Sequence, residues 1–172
     1  MAIRRVLVTG SSGTIGTRLC ERLLQETDCE LTALDRRPNA WSEAVQAVTV
    51  IADLCDADAL AKLPPDFDTV IHLAANARVY ELVLDTAKAR DNFVTVYNTL
   101  EFCRRNGIPR FLFSSSREVY GNAEAITHNE EPLHVKHCES PYAASKVGAE
   151  ALVQSYHQCY GLEFITFRFS NV

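Results

Sequence analysis

Val6-Leu7-Val8-Thr9-Gly10-Ser11-Ser12-Gly13-Thr14-Ile15-Gly16 decides how this chain reads. The apolar run from Ile3 to Val8 predicts a buried strand. Glycines follow at three-residue steps, and an amphipathic helix with Leu19, Leu23 and Leu24 on its apolar side comes next. Strand, glycine turn and helix together can hold a diphosphate. Gly10 permits a sharp turn, Gly13 a close approach of backbone to phosphate oxygens, and Gly16 close packing of helix on strand. The helix N-terminus adds unpaired N–H groups and a partial positive charge. The spacing is G-x-x-G-x-x-G rather than G-x-G-x-x-G. With a readable strand before it and helix after it, dinucleotide binding is favoured over a glycine turn that only packs.

Outward from that stretch, strands and helices alternate. Strands are expected at Glu30 to Leu34 (ending in Asp35), Val48 to Ile51 (ending in Asp53) and Asp68 to Leu73. Arg110 to Phe113, running into Ser114-Ser115-Ser116, and Glu163 to Phe169 complete six. A long helix carries Phe93, Val96, Tyr97, Leu100 and Cys103 at helical spacing and stops at Gly107 and Pro109. A polar loop covers Gly121 to Glu139. Ser140 then reads as an N-cap with Pro141 at the first helical position, opening a helix that ends near Tyr160-Gly161. The alternation implies an α/β fold, a doubly wound parallel sheet of about six strands.

At 172 residues the chain is about one domain, long enough for a real core. No stretch is apolar for the length of a membrane span. The short run after Arg4 and Arg5 reads as a first strand rather than a signal peptide. A net charge of −5 with scattered basic residues gives no nucleic-acid footprint. Six cysteines (20, 29, 55, 103, 138, 159) lie far apart with no C-x-x-C pair. They read as reduced thiols of a cytoplasmic protein, with no metal site.

Two groups of residues carry chemistry. Asp35 ends the second strand about 20 residues after the glycine turn, where a carboxylate accepts from the adenosine ribose hydroxyls and repels a 2′-phosphate. This favours NAD over NADP, although Arg36 and Arg37 beside it could bind that phosphate. Asp53-Leu54 reads either as a cap on the adenine site or as a helix cap. The second group is Tyr142-Ala-Ala-Ser-Lys146, whose tyrosine and lysine share a helix face. An ammonium beside a phenol is expected to lower its pKa from about 10. A tyrosine so tuned can take a proton from a sugar or alcohol hydroxyl as hydride leaves. Ser116 could hydrogen-bond the same substrate oxygen.

These stretches together resemble the first half of an extended short-chain dehydrogenase/reductase, in the NAD-dependent epimerase/dehydratase family acting on nucleotide sugars. The matching residues are Thr9 to Gly16, Asp35, Asp53-Leu54, His72-Leu-Ala-Ala75, Asn92, Asn98, Phe113 to Gly121, Ser140 to Lys146 and Arg168-Phe-Ser-Asn-Val172. The resemblance implies a Rossmann-like NAD(P)-binding domain over 1–172. It implies Ser116, Tyr142 and Lys146 as the catalytic group, with Lys146 also holding the nicotinamide ribose. Cofactor contacts would come from Gly10, Ser12, Gly13, Thr14, Ile15 and Gly16 in the glycine loop. Asp35, Arg36, Asp53 and Leu54 would add contacts at the adenosine end. Leu73, Ala74 and Ala75 would form a wall beside the cofactor, joined by Asn92, Ser114 and Tyr142, while His72 reads as a packed strand histidine rather than a base.

The chain departs from the family in three places. Thr95-Val96 stands where Gly-Thr is usual. Arg117-Glu118 stands where sugar dehydratases carry Asp-Glu, which argues against 4,6-dehydration. Family members also continue past the position of Val172 with a substrate domain. The expected activity is nucleotide-sugar epimerisation through transient hydride transfer. A sugar dehydrogenase or reductase, or a catalytically silent cofactor-binding fragment, are the alternatives. A homodimer through the long helix and the Tyr142 helix is expected, with Tyr97, Leu100, Leu152 and Tyr156 as its apolar candidates.

Overall fold

The computed structural model describes residues 4–122 and 135–170. Ile3, most of the expected 121–139 loop, and Asn171-Val172 lie outside the described residues.

Six strands form one parallel sheet. They are β1 (Arg5–Thr9), β2 (Glu30–Asp35), β3 (Thr49–Ile51), β4 (Thr69–His72), β5 (Arg110–Ser116) and β6 (Glu163–Phe169). Their spatial order is β3-β2-β1-β4-β5-β6. β1 pairs with β2 on one side and with β4 on the other, so the direction of winding reverses between β1 and β4. The helices are α1 (Thr14–Glu26), α2 (Glu43–Ala47), α3 (Val79–Leu84), α4 (Ala87–Asn106) and α5 (Pro141–Tyr160).

Alternation along the strands makes two cores. Val6 and Val8 face one side with Leu31, Ala33, Cys20 and Val45, where α1 and α2 pack. Leu7 faces the other with Leu34, Val70, Phe111 and Phe113, against Val96 and Leu100 of α4 and Val153 of α5. Burial on both faces is what a parallel sheet needs, because its crossover helices lie on the faces. The α4–α5 layer is tied near its C-terminal end by Glu101. It accepts from Arg104 at 2.8 Å and from the Tyr156 hydroxyl at 2.6 Å, and these bonds hold its carboxyl down at about 2.

Most expected boundaries agree within one or two residues. The third strand stops at Ile51, and Asp53 lies beyond it in a turn, its carboxylate accepting from the Cys55 N–H at 2.9 Å. β5 runs on through Ser116, because Ser114 to Ser116 pair in register with Phe167 to Phe169 of β6. The short helices α2 and α3 were not legible as periodic runs. Their five and six residues give too few turns for an apolar stripe.

Two of the expected dimer residues are corrected. Leu100 is fully buried against the sheet and Tyr156 is buried with its hydroxyl on Glu101, so both belong to the core. Tyr97 and Phe93 remain exposed on α4. On the far edge, Ile165 and Phe167 of β6 are also exposed, and the rings of Phe167 and Phe169 stack at 5.9 Å.

The glycine turn holds α1 to the sheet. Gly10 has φ 72°, and a Cβ on it would sit 2.6 Å from the Ala74 backbone N. A Cβ on Gly16 would lie 2.1 Å from the Gly10 carbonyl oxygen. The close packing at Gly16 is therefore helix on its own preceding loop, not helix on strand. Replacing Gly16 by Ala is expected to cost about 2 kcal/mol or more in urea denaturation, through forced backbone movement. Gly107→Ala, at a left-handed helix end with open space around it, is expected to cost about 1 kcal/mol.

Candidate cofactor and active site

A cleft opens at the carboxyl ends of the strands, beside the β1–β4 pair where the direction of winding reverses, as open α/β sheets provide at their switch point. It has two halves. One is bordered by Asp35, Arg36, Arg37, Ala52, Asp53, Leu54, Asn76 and Asn92. The other is bordered by Thr14, Ile15, Gly16, Ser114 to Glu118, Tyr142 and Lys146. Gly10, Gly13, Leu73 and Ala75 line both, and Ala74 lines the first.

The glycine loop is shaped for an anion. Gly13 precedes α1 in extended conformation with no side-chain cap, and no acidic residue sits in the first turn. The unpaired N–H groups of that turn therefore meet the cleft without competition from a side chain. A Cβ on Gly13 would meet only the Gly10 carbonyl, at 3.4 Å, so the loop's outer side is open to a ligand. These features suit a pyrophosphate. Ser12 lines neither half of the cleft. Its N–H donates to Asp35 Oδ2 at 2.9 Å and its hydroxyl to the Arg37 carbonyl at 2.9 Å, so it clamps the loop to the end of β2.

Asp35 is buried, and its second oxygen accepts from the Arg37 N–H at 3.0 Å. One N–H on each oxygen leaves acceptor capacity for a diol in the cleft. Arg36 reaches across that half to donate to Asn76 Oδ1 at 3.2 Å. The Asn92 amide exchanges two bonds with the Asn76 backbone, at 2.7 and 3.0 Å, and lies 3.4 Å from the Ser145 hydroxyl, which donates to the Tyr142 carbonyl. Asn92 thus joins the loop after β4 to the start of α5.

Sequence reasoning missed Asn76 and also Asn39. The Asn39 amide donates to the Ser11 carbonyl at 3.1 Å and to the Thr17 hydroxyl at 2.9 Å, bracing the glycine turn from 28 residues away. No local spacing could reveal that contact.

In the other half, Ser140 caps α5 by accepting from the Ala143 N–H, with Pro141 in the first turn. This start sets Tyr142 and Lys146 on the face toward the end of β5. Here the expected electrostatics need correction. The Lys146 Nζ donates to the Ser114 carbonyl at 2.7 Å and lies 5.9 Å from the Tyr142 ring centre. Burial raises the Tyr142 phenol. Its hydrogen bond with Ser116 opposes that rise, and the nearby charge of Glu118 adds to it. The ammonium one turn away is engaged with a carbonyl, and desolvation of the phenolate outweighs it.

Lys146 is itself buried, which pulls its ammonium down to about 8, while the Glu150 carboxylate works in the other direction. Ser114 supplies a strut, its hydroxyl donating to the His72 carbonyl at 2.9 Å. His72 is fully buried, stacked at 5.8 Å on Phe111, with Nδ1 3.0 Å from the Thr9 hydroxyl. Burial and then the Lys146 charge push it down to about 3, so it is neutral near pH 7. Among the described residues all six cysteines are free, and no group of three His, Cys, Asp or Glu side chains is placed to hold a metal.

Comparison with known proteins matches this architecture. Residues 6–172 match the NAD dependent epimerase/dehydratase family. A dTDP-glucose 4,6-dehydratase of Streptomyces antibioticus is 33% identical over 96% of this chain and 52% of its own length. The crystal structure of Thermus thermophilus UDP-glucose 4-epimerase in complex with NAD superposes with a TM-score of 0.83. It is 33% identical, over 95% of this chain and 54% of that one. A UDP-N-acetylglucosamine 4-epimerase from Methanobrevibacter ruminantium, in complex with UDP-N-acetylmuramic acid, gives 0.85 at 31% identity, over 98% and 55%. The chain spans about half the length of these relatives. It belongs to the NAD-dependent epimerase/dehydratase family.

Proposed function

We propose that this chain is the cofactor-binding and proton-transfer part of a nucleotide-sugar epimerase-type oxidoreductase. The observation that carries the proposal is the meeting of Tyr142, Ser116 and Lys146 in one cleft with the uncapped first turn of α1. Among its relatives are proteins described as complexes with NAD and with a UDP-sugar.

In this reading the first turn of α1, with Gly10, Gly13, Thr14, Ile15 and Gly16, holds the pyrophosphate of NAD. Asp35 accepts from the adenosine ribose hydroxyls. Arg36, Asp53 and Leu54 border the adenine, and Leu73 to Ala75 with Asn92 and Ser114 form the wall along the cleft. Lys146 donates to the second ribose with the N–H groups not used on Ser114. NAD, when bound, accepts and returns a hydride. Tyr142 takes the proton of the sugar hydroxyl at the carbon being oxidised and gives it back on the return step. Ser116 orients that oxygen. To accept the sugar proton Tyr142 must first be a phenolate, its own proton having passed to solvent; burial opposes this, and the Lys146 ammonium one helical turn away supplies positive charge that favours it. Arg117 in place of a dehydratase's acid argues against 4,6-dehydration. Free thiols suit a reducing, cytoplasmic setting, and no described helix is long and apolar enough to cross a membrane. Tyr97 and Phe93 on α4 are the exposed apolar residues through which a second copy would pair.

A panel of UDP-, GDP- and dTDP-sugars tests the activity. Interconversion of epimers without net NADH is expected. NADH accumulation would instead mark a dehydrogenase, and NAD binding with no turnover would mark a cofactor-binding module. Tyr142→Phe should leave NAD affinity within about twofold in fluorescence titration while lowering turnover by at least about a hundredfold. Asp35→Asn, which removes a charged acceptor, should weaken NAD about tenfold and improve NADP relative to it. Sedimentation equilibrium should show a dimer that Tyr97→Asp dissociates; a monomer at every concentration would refute pairing.

A further inference from the structure

Behind the Tyr142–Lys146 face lies a second charged group that does not enter the cleft. Glu150 sits one helical turn beyond Lys146 on α5, with its side chain 11% exposed. Arg168 of β6 grips it with two bonds, Nε to Oε1 at 3.1 Å and Nη2 to Oε2 at 2.8 Å. The Ser115 hydroxyl donates to the same carboxylate. The remaining guanidinium nitrogen donates to the Tyr120 hydroxyl at 2.9 Å, and the guanidinium lies 4.9 Å from the Tyr120 ring centre. This one pair therefore touches α5, β5, β6 and the 3-10 turn Arg117–Tyr120. All four meet at the end of the sheet where Ser116, Glu118, Tyr142 and Lys146 line the cleft.

We propose that Glu150 and Arg168 are positioning residues for the catalytic face: the pair locks α5 against the end of β5 and the Arg117–Tyr120 turn, and fixes the Glu150 carboxylate as the counter-ion one helical turn from Lys146. The inference rests on the role proposed above for Tyr142 and Lys146.

The surroundings of Lys146 leave Glu150 this task. The Lys146 ammonium donates to the neutral Ser114 carbonyl and lies 5.1 Å from the centre of the Phe113 ring. His72 from β4 is held neutral near pH 7 by burial. Tyr142 on the same helix is held protonated, and Glu118 from the 3-10 turn bears on Tyr142. Asn92 from α4 brings an amide to Ser145 and no charge. Among the described residues, Glu150 is the carboxylate that raises the Lys146 ammonium against its burial. A bidentate arginine fixes where that charge sits, which a lone carboxylate would not do. A buried ion pair is by itself weak evidence for stability, and what this pair contributes lies in the elements it joins.

The test is the titration of Lys146 in the 172-residue chain, followed by NMR of labelled lysine side chains. The chain has four lysines, and Lys146→Met assigns the signal. Wild type is expected to titrate near pH 8. Glu150→Gln keeps the shape and removes the charge, so the midpoint should fall by about one pH unit, a tenfold loss of proton affinity. Arg168→Gln leaves the carboxylate without its guanidinium, so the midpoint should rise. Opposite signs are the signature, because a purely structural brace would weaken folding in both variants without separating them. An unchanged midpoint in both, a shift of the same sign, or failure of both to fold would overturn the proposal. If Glu150→Gln alone fails to fold, a rise in Arg168→Gln supports the proposal and no rise overturns it. NAD titration from pH 6 to 9 separates the two readings. Midpoints that move as expected while NAD affinity ignores them would keep the brace and reject the role given to Lys146 in holding the cofactor.

Discussion

The glycine loop of the cleft depends on the close approach of Gly16 to the Gly10 carbonyl. With no Cβ at either residue, the first turn of α1 settles onto the loop that leaves β1. Because Gly10 also abuts the Leu73–Ala74 backbone, the same contact ties the loop to the wall that follows β4. Helix terminus and wall thereby face one another across the switch point. Asn39 and Ser12 then brace the loop from β2's side with buried hydrogen bonds, while the close approach to Leu73–Ala74 holds the other flank.

Burial governs the chemistry of the site more than pairing does. A phenol and an amine one turn apart suggest mutual stabilisation of phenolate and ammonium. In the folded chain both are desolvated, which moves each toward its neutral form: the phenol up and the amine down. Perturbed groups of this kind, set in a cleft, mark it as a candidate functional site. The neutral His72 beneath them fits the same pattern, since a second cation there would push Lys146 toward the free amine.

The two sides of the sheet differ in how they finish. Core residues fill both faces over β1, β2 and β4, while Ile165 and Phe167 of the edge strand β6 stay exposed. A parallel strand ordinarily has both faces covered. Arg168 on the alternate side of β6 is by contrast well engaged with Glu150, which holds that edge to α5.

Local patterns determined the strands, the two long helices and the glycine turn, because periodicity, caps and breakers act within a few residues. The alternation implied a doubly wound sheet, and the Tyr142–Lys146 spacing placed both groups on one helix face. Tertiary structure alone decided what those groups do to one another, since pKa depends on desolvation and on partners such as Ser114 and Glu150 brought from other elements. It also decided that Leu100 and Tyr156 are core, that Ser12 clamps rather than lines the cleft, and that Asn39, Asn76 and Arg168 matter at all. Those contacts join residues far apart in the chain, and sequence spacing carries no record of a distance that exists only after folding.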